Sequence, residues 1–267
     1  MSVLRARGNP RLRRWRALAS DARARRREQR TLIEGARLVA DYLDRVGEPA
    51  ALLVSESGAQ DGGIVALSRR GSRPPVVLAD ALFRLVSELD TPAGIAAEIE
   101  VPSTKLELSA SGVCVLLDSV QDSGNLGAIL RSAAAFGVRD VVLGPGCADP
   151  WSPKVLRAAM GGHFLLRIGE AADLAGALTR FGGMSVCTVA RGGLAPADAD
   201  LRGRIALVLG AEGRGVGETL AARCALRLTI PMPGRTESLN VAAAAAILFY
   251  ERARQLSTGG ARSSAPA

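Results

Sequence analysis

Short apolar runs alternate with stretches of helical spacing along this chain, and the alternation is clearest in its C-terminal half. GVCVLLD (112–118), DVVLG (140–144), FLLRI (164–168), MSVCTVA (184–190), IALVL (205–209) and LRLTI (226–230) are rich in Val, Ile and Leu. Runs of this length predict strands buried on both faces. Between and after them, 125–136, 152–160, 171–180, 216–223 and 238–255 have helical spacing. Strand and helix taking turns predicts a mostly parallel sheet covered by helices, an α/β fold.

The N-terminal half is less regular. In TLIEGARLVADYL (31–43), Leu32, Ala36, Val39 and Leu43 fall on one helical face, which predicts a helix. Apolar runs follow at 51–54, 64–67 and 75–78, separated by Gly- and Ser-rich turns, with a further helix near 80–88. The pattern predicts a smaller α/β domain over 1–108, a link near 100–112, a second domain over 109–256 and a disordered tail over 257–267. No apolar run reaches the roughly 18 residues of a membrane span.

Charge changes the picture at one end only. The net charge is +8, yet the first forty residues hold twelve arginines against Asp21, Glu28 and Glu34. That surplus of nine exceeds the charge of the whole chain, so the remainder is close to neutral. A basic segment predicts a polyanionic partner, most simply nucleic acid. Lys105 and Lys154 are the only lysines. Arginine binds phosphate with two parallel hydrogen bonds and stacks on bases, which suits structured RNA. Residues 1–30 read as an exposed or helical basic arm, with Arg11, Arg13, Arg14, Arg25, Arg26 and Arg27 as its RNA-facing candidates. An organelle transit peptide is the competing reading of that segment.

Cys114, Cys147, Cys187 and Cys224 show no CxxC or Cys/His spacing, and His163 is the only histidine. The cysteines read as reduced thiols of a cytoplasmic protein, with no metal site. A mechanism that needs two histidines is excluded.

Three segments carry candidate chemistry. In LDSVQDSGNLGAILRSAAAFGV (117–138) a strand ends at Asp118, and a turn leads to Asn125 at the mouth of a helix that carries Arg131 two turns further on. Taken alone, these are a helix cap and a surface arginine. In LVLGAEGRGVG (207–217) a strand runs into Gly210, Gly213, Gly215 and Gly217, a turn that lets a ligand approach the backbone; ordinary tight turns explain it equally well. In IPMPGRTESLNVAAAAAILFYE (230–251), Pro231, Pro233 and Gly234 shape an irregular loop before Ser238, Leu239 and Asn240 open an Ala-rich helix. Neither the dinucleotide fingerprint nor the phosphate-loop pattern is present.

Together and in this order, the three segments resemble the motifs of the SpoU (TrmH-like) RNA ribose 2′-O-methyltransferases. The first matches at Asp122, Asn125, Gly127, Ala128, Ile129, Arg131 and Ala133, and departs at Ser123, where the family usually has Pro. The second includes Glu212. The third matches at Ile230, Pro231, Met232, Ser238, Leu239, Asn240 and Val241, with Ala242 where Ser is common. A looser resemblance to ribosomal L30-like RNA-binding domains covers NPRLRRWRAL (9–18), LIEGARLV (32–39) and TPAGI (91–95).

The resemblance implies a trefoil-knotted SPOUT-type domain, a homodimer and S-adenosylmethionine as cofactor. It implies transfer of a methyl group to a ribose 2′-hydroxyl, in ribosomal RNA ahead of transfer RNA. Arg131 would be the main catalytic residue, with Asn125, Glu212, Ser238 and Asn240 shaping the site. Leu209, Gly210, Glu212, Gly213, Ile230, Met232, Ser238 and Leu239 would line the cofactor, and Arg131 would also meet RNA. A guanidinium stays protonated, with a pKa above about 12, so binding phosphate or a developing alkoxide is physically easier for it than acting as a base. Two other readings compete: a non-catalytic RNA-binding or ribosome-assembly protein that kept the fold, and, more weakly, a nucleotide-dependent oxidoreductase.

Overall fold

A computed structural model of the chain describes residues 3–102, 108 and 112–260. The chain divides into two compact units, 1–103 with 149–164, and 104–148 with 165–267. The expected link at 100–112 falls largely on residues 103–107 and 109–111, outside the described residues.

The first unit holds strands β1 (Val3–Leu4), β2 (Arg30–Glu34), β3 (Ala51–Ser55), β4 (Val76–Leu78) and β5 (Ile95–Glu100) in the order β1-β4-β3-β5-β2. Helices α1 (Pro10–Ser20), α2 (Ala22–Glu28), α3 (Ala36–Arg45), α4 (Gly62–Ser68) and α5 (Asp80–Phe83) accompany them. The basic arm is not loose. Pro10 starts α1, the Asn9 side chain caps it, and Leu12, Trp15, Leu18 and Ala19 bury one face. These pack with Leu32 of β2 and Leu53 of β3, while Ile33, Val39 and Tyr42 belong to a second cluster with Trp151 and Leu156. Neighbours Leu32 and Ile33 thus serve different clusters, as the strand period requires.

The helix expected over 31–43 is corrected. Residues 30–34 form β2, which pairs antiparallel with β5, and the helix begins at Ala36. Gly35 sits at φ 105°, a conformation that breaks helical continuity and that L side chains rarely adopt. Leu32 was counted on a helical face because strand and helix periods coincide over so short a run.

The second unit contains β6 (Val113–Asp118), α6 (Ser123–Ala135) and β7 (Asp140–Leu143), then, after α7 (Pro153–Ala159), β8 (Arg167–Glu170), α8 (Leu174–Phe181), β9 (Met184–Thr188), β10 (Ile205–Gly210), α9 (Glu218–Ala221), β11 (Leu226–Leu228) and α10 (Val241–Gly260). The strand order is β11-β9-β10-β6-β7-β8, and every pair is parallel. β10 enters between β6 and β9 and is buried along its whole length.

Helix α7 lies in sequence between β7 and β8 but belongs to the first unit with the rest of 149–164. Thr31 Oγ1 donates to Trp151 O at 2.7 Å, and Tyr42 meets Phe164 edge-on with ring centroids 5.4 Å apart. The run expected as a strand from Phe164 therefore becomes one only at Arg167. The last helix was expected over 238–255. It starts at Val241 and runs to Gly260, so 257–260 are helical rather than tail; 261–267 lie outside the described residues.

Candidate active site

The carboxyl end of β10 is where the strand order turns back on itself, the place where open α/β sheets bind ligands. Gly210 ends β10 opposite Asp118 of β6. The following loop folds back so tightly that a Cβ on Gly210 would lie 2.0 Å from the Gly215 carbonyl carbon and 2.1 Å from Val216 N. Only a hydrogen at that position allows the fold. Gly215 N–H donates to Ala211 O, and Gly217 N–H donates to Asp118 Oδ2, both at 2.9 Å. The glycines of this segment therefore build a fixed turn and not a slack one.

The three candidate segments meet in one chain of hydrogen bonds. Asp122 caps α6 by accepting Asn125 N–H at 2.7 Å. The Asn125 amide donates from Nδ2 to Glu212 Oε1. Its Oδ1 accepts Asn240 Nδ2 at 2.8 Å. Asn240 Oδ1 in turn accepts the N–H groups of Ala242 and Ala243, at 2.8 and 3.3 Å, and so caps α10. One asparagine thus bridges the glycine loop and the start of the last helix. Asn suits this place because its amide donates and accepts at once.

Beside this chain lies a cavity of about 630 Å³, within the range of small-molecule and cofactor sites. Gly210, Glu212, Gly213, Ile230, Met232, Ser238 and Leu239, all expected from the sequence, line it. Leu209 does not; it is fully buried in the sheet, its side chain spent on the core. Asn125, Arg131 and Asn240 are not among the lining residues either. Asn240 caps α10, and Ser238 lines the cavity from the loop before that helix. Sequence reasoning missed Thr188, Val189 and Arg191, which line the cavity from the end of β9. Their signal was available: β9 is the parallel neighbour of β10, so its carboxyl end opens on the same crevice. The lining pairs apolar side chains (Val189, Ile230, Met232, Leu239) with the backbone of a glycine turn. That donor set fits a flat heteroaromatic ring, a ribose and a sulfonium, which need close apolar walls and backbone hydrogen bonds.

Arg131 lies on α6 six residues past Asn125, about 9 Å along the axis. It is exposed, and its side chain makes no hydrogen bond or ion pair with any described residue. Among the described residues no cluster of His, Cys, Asp and Glu is placed to hold a metal ion, and no helix is long and apolar enough to cross a membrane.

The arginines of the first unit divide into two kinds. Arg13, Arg26 and Arg27 are exposed, Arg27 also meeting Glu28 Oε1 at 3.3 Å, and Arg11 is exposed with its guanidinium 4.9 Å from the centre of the Trp15 ring; exposure does not make them free of partners. Arg25 is buried, and the structure removes it from the RNA-facing set. Its Nε and Nη2 donate to Asp149 Oδ2 at 2.8 and 2.7 Å, and its Nη1 to the carbonyls of Leu18 and Ala19. Arg14 is half-buried between Glu28 and Glu98. Burial alone would raise the Glu98 carboxyl, but hydrogen bonds from Arg14 and Trp15 outweigh it and hold the group below its ordinary pKa. Arg14 is thus committed to an internal ion pair as well. His163 is also structural: its Nε2 lies 2.7 Å from Pro150 O, and complete burial pushes its pKa down to about 4.

Comparison with known proteins matches two successive stretches of the sequence, the second of which includes 149–164. The profile of the SpoU rRNA Methylase family matches residues 112–250, and that of the MRM3-like substrate binding domain matches 9–97. The chain is 33% identical over 252 residues to the 23S rRNA (guanosine(2553)-2′-O)-methyltransferase RlmP of Bacillus subtilis, covering 94% of this chain and 98% of that one. Among solved structures, it is similar to the SpoU methyltransferase AviRb from Streptomyces viridochromogenes in complex with AdoMet. The TM-score there is 0.84 at 26% identity, over 97% of this chain and 100% of that one. A TrmH-family structure from Porphyromonas gingivalis gives a TM-score of 0.79 at 34% identity, over 94% of this chain and 100% of that one.

Proposed function

This chain belongs to the SpoU rRNA methylase family, and from that premise we propose how its own residues methylate a ribose 2′-hydroxyl of ribosomal RNA. The observation that carries the reading is the hydrogen-bonded chain Glu212–Asn125–Asn240, which joins all three motifs at the rim of the cavity. S-adenosylmethionine, when bound, supplies a methyl group already activated on a sulfonium.

The protein's part is to bind, orient and assist loss of the hydroxyl proton. The glycine turn, Ile230, Met232 and Leu239 hold the cofactor largely through backbone and apolar contact. Asn125 keeps Glu212 and the start of α10 in register with each other. Alignment of this kind supplies up to about 7–11 kcal/mol of a barrier. Arg131, exposed and without an ion-pair partner among the described residues, meets the RNA and stabilises negative charge on phosphate or on the developing alkoxide. Arg131→Ala is expected to slow transfer by about a hundredfold or more while RNA affinity, read by filter binding, changes far less. Full-rate transfer by that variant removes the assignment.

Arg11, Arg13, Arg26 and Arg27 of the first unit supply phosphate contacts to a large structured RNA. By analogy with the Bacillus subtilis relative, large-subunit ribosomal RNA is the first substrate to try. A homodimer belongs to the same reading: Ile247 and Tyr250 expose 40% and 59% of their surface on α10, and Tyr250 stacks edge-on against Phe136 beside α6. The strand order, with β10 between β6 and β9, is compatible with trefoil threading.

The test is transfer of labelled methyl from S-adenosylmethionine to an in-vitro transcript of 23S ribosomal RNA, beside calorimetry of the cofactor alone. Label in the transcript is the expected result. No transfer and no cofactor binding favours the non-catalytic RNA-binding protein.

A further inference from the structure

Past Thr188 the chain crosses to Leu194 as a short loop, 189–193, and this loop is built to stay still. One side chain holds both its ends: Thr229 Oγ1 donates to Val189 O at 3.1 Å and accepts Gly193 N–H at 2.9 Å. Leu194 N–H then donates to Arg227 O, and Thr229 N–H to Leu194 O. At Gly193 the loop passes so near β11 that a Cβ would lie 2.7 Å from the Leu228 carbonyl carbon and 2.8 Å from Thr229 N. The one charged residue of the loop is Arg191, which lines the cavity, is exposed, and makes no hydrogen bond or ion pair with any described residue. Arg214, on the glycine loop lining the same cavity, is also exposed and makes no hydrogen bond or ion pair with any described residue. Of the two carboxylates there, Glu212 is committed to Asn125, and Glu237 is exposed.

The pinned loop fixes the backbone from which the guanidinium reaches, so an arriving anion orders only the side chain and not the loop. We propose that Arg191, positioned by Thr229 and assisted by Arg214, binds a phosphodiester of the RNA strand beside the ribose that is methylated. The proposal rests on the methyl-transfer reading. A guanidinium at this cavity meets two sources of anion, RNA phosphate and the carboxylate of the cofactor's amino-acid tail. Phosphate is favoured because Arg191 lies at an exposed edge, where a polymer strand can reach it, and a second exposed arginine lines the same cavity.

The experiment compares wild type with R191A, R191K and T229V, on the full chain with an unmethylated 23S transcript. It reads the S-adenosylmethionine Kd without RNA, the KM for RNA, and RNA affinity against salt. For R191A the KM for RNA rises about tenfold, the log–log salt slope falls by about one, and the cofactor Kd stays within twofold. R191K recovers part of the loss, since lysine keeps the charge without the planar fork. T229V shifts the KM the same way by a smaller factor. A weakened cofactor Kd with unchanged RNA affinity assigns Arg191 to the cofactor carboxylate and overturns the proposal; so does no change in either. If wild type binds RNA but transfers no methyl, the functional reading fails, and Arg191 is judged by its RNA Kd alone.

Discussion

Replacing Gly210 by alanine tests how the loop after β10, proposed to hold the cofactor, is itself held. The new Cβ would lie 2.0–2.1 Å from Gly215 C, Gly215 O and Val216 N. Ordinary carbon contacts lie near about 3.5 Å, so the shortfall is roughly 1.5 Å. Strand β10 cannot yield, because Gly210 is buried and registered with Asp118 in the middle of the sheet. The loop must move instead, away from Gly210, and two bonds stand in the way. One is Gly215 N–H to Ala211 O; the other is Gly217 N–H to the Asp118 carboxylate. Losing a neutral and a charge-assisted hydrogen bond costs about 3 kcal/mol. Taken from the binding-competent loop, that is roughly a hundredfold in affinity. Isothermal calorimetry of S-adenosylmethionine reads it directly, with thermal melting to show that the fold persists. Gly203→Ala is the control, since its Cβ meets nothing within 4 Å and its φ is not positive. A Gly210→Ala protein that binds cofactor within threefold of wild type refutes the argument.

Three further outcomes follow. Asn125→Ala leaves Glu212 and the Asn240 amide without their common partner; kcat is expected to fall by at least tenfold in single-turnover assays, with the melting temperature within a few degrees of wild type. Arg25→Ala strands Asp149 in a site where its side chain is 16% exposed; urea unfolding should show a loss of about 3–5 kcal/mol, whereas an RNA-contact role would leave stability unchanged. His163 has its pKa lowered by burial to about 4 from 6.5, so the unfolded chain takes up its proton first as pH falls. Stability should therefore drop between pH 6.5 and 4, by up to about 3 kcal/mol, and His163→Gln should flatten that slope in pH-dependent urea titrations.

Much of the second unit was legible because its strands are continuous apolar runs that only a doubly covered sheet accommodates, as at Ile205–Gly210. The motif residues were legible by type, but their connections were not. No spacing rule brings Asn125 to Glu212 or Asn240 across 87 and 115 residues; the crossover of β9 and β10 does so. The first unit was harder to read. Leu32 fits a helical stripe and a strand equally well over five residues, and only Gly35 separates the two. The arginine run read as one basic surface, yet Arg25 and Arg14 turn inward because Asp149 and Glu98 wait there. Charge counts do not report which arginines are already spent. Nor could sequence order show that 149–164, bracketed by strands of one unit, fills the core of the other.

The most direct test of the central claim is the chemical position of the transferred methyl. Ribosomal RNA treated with the protein and labelled cofactor is digested to nucleosides and resolved by mass spectrometry. The account predicts a single 2′-O-methylated nucleoside, with the label on the ribose fragment and resistance of that one linkage to alkali. Label on the base fragment, or scattered over many nucleosides, would contradict it.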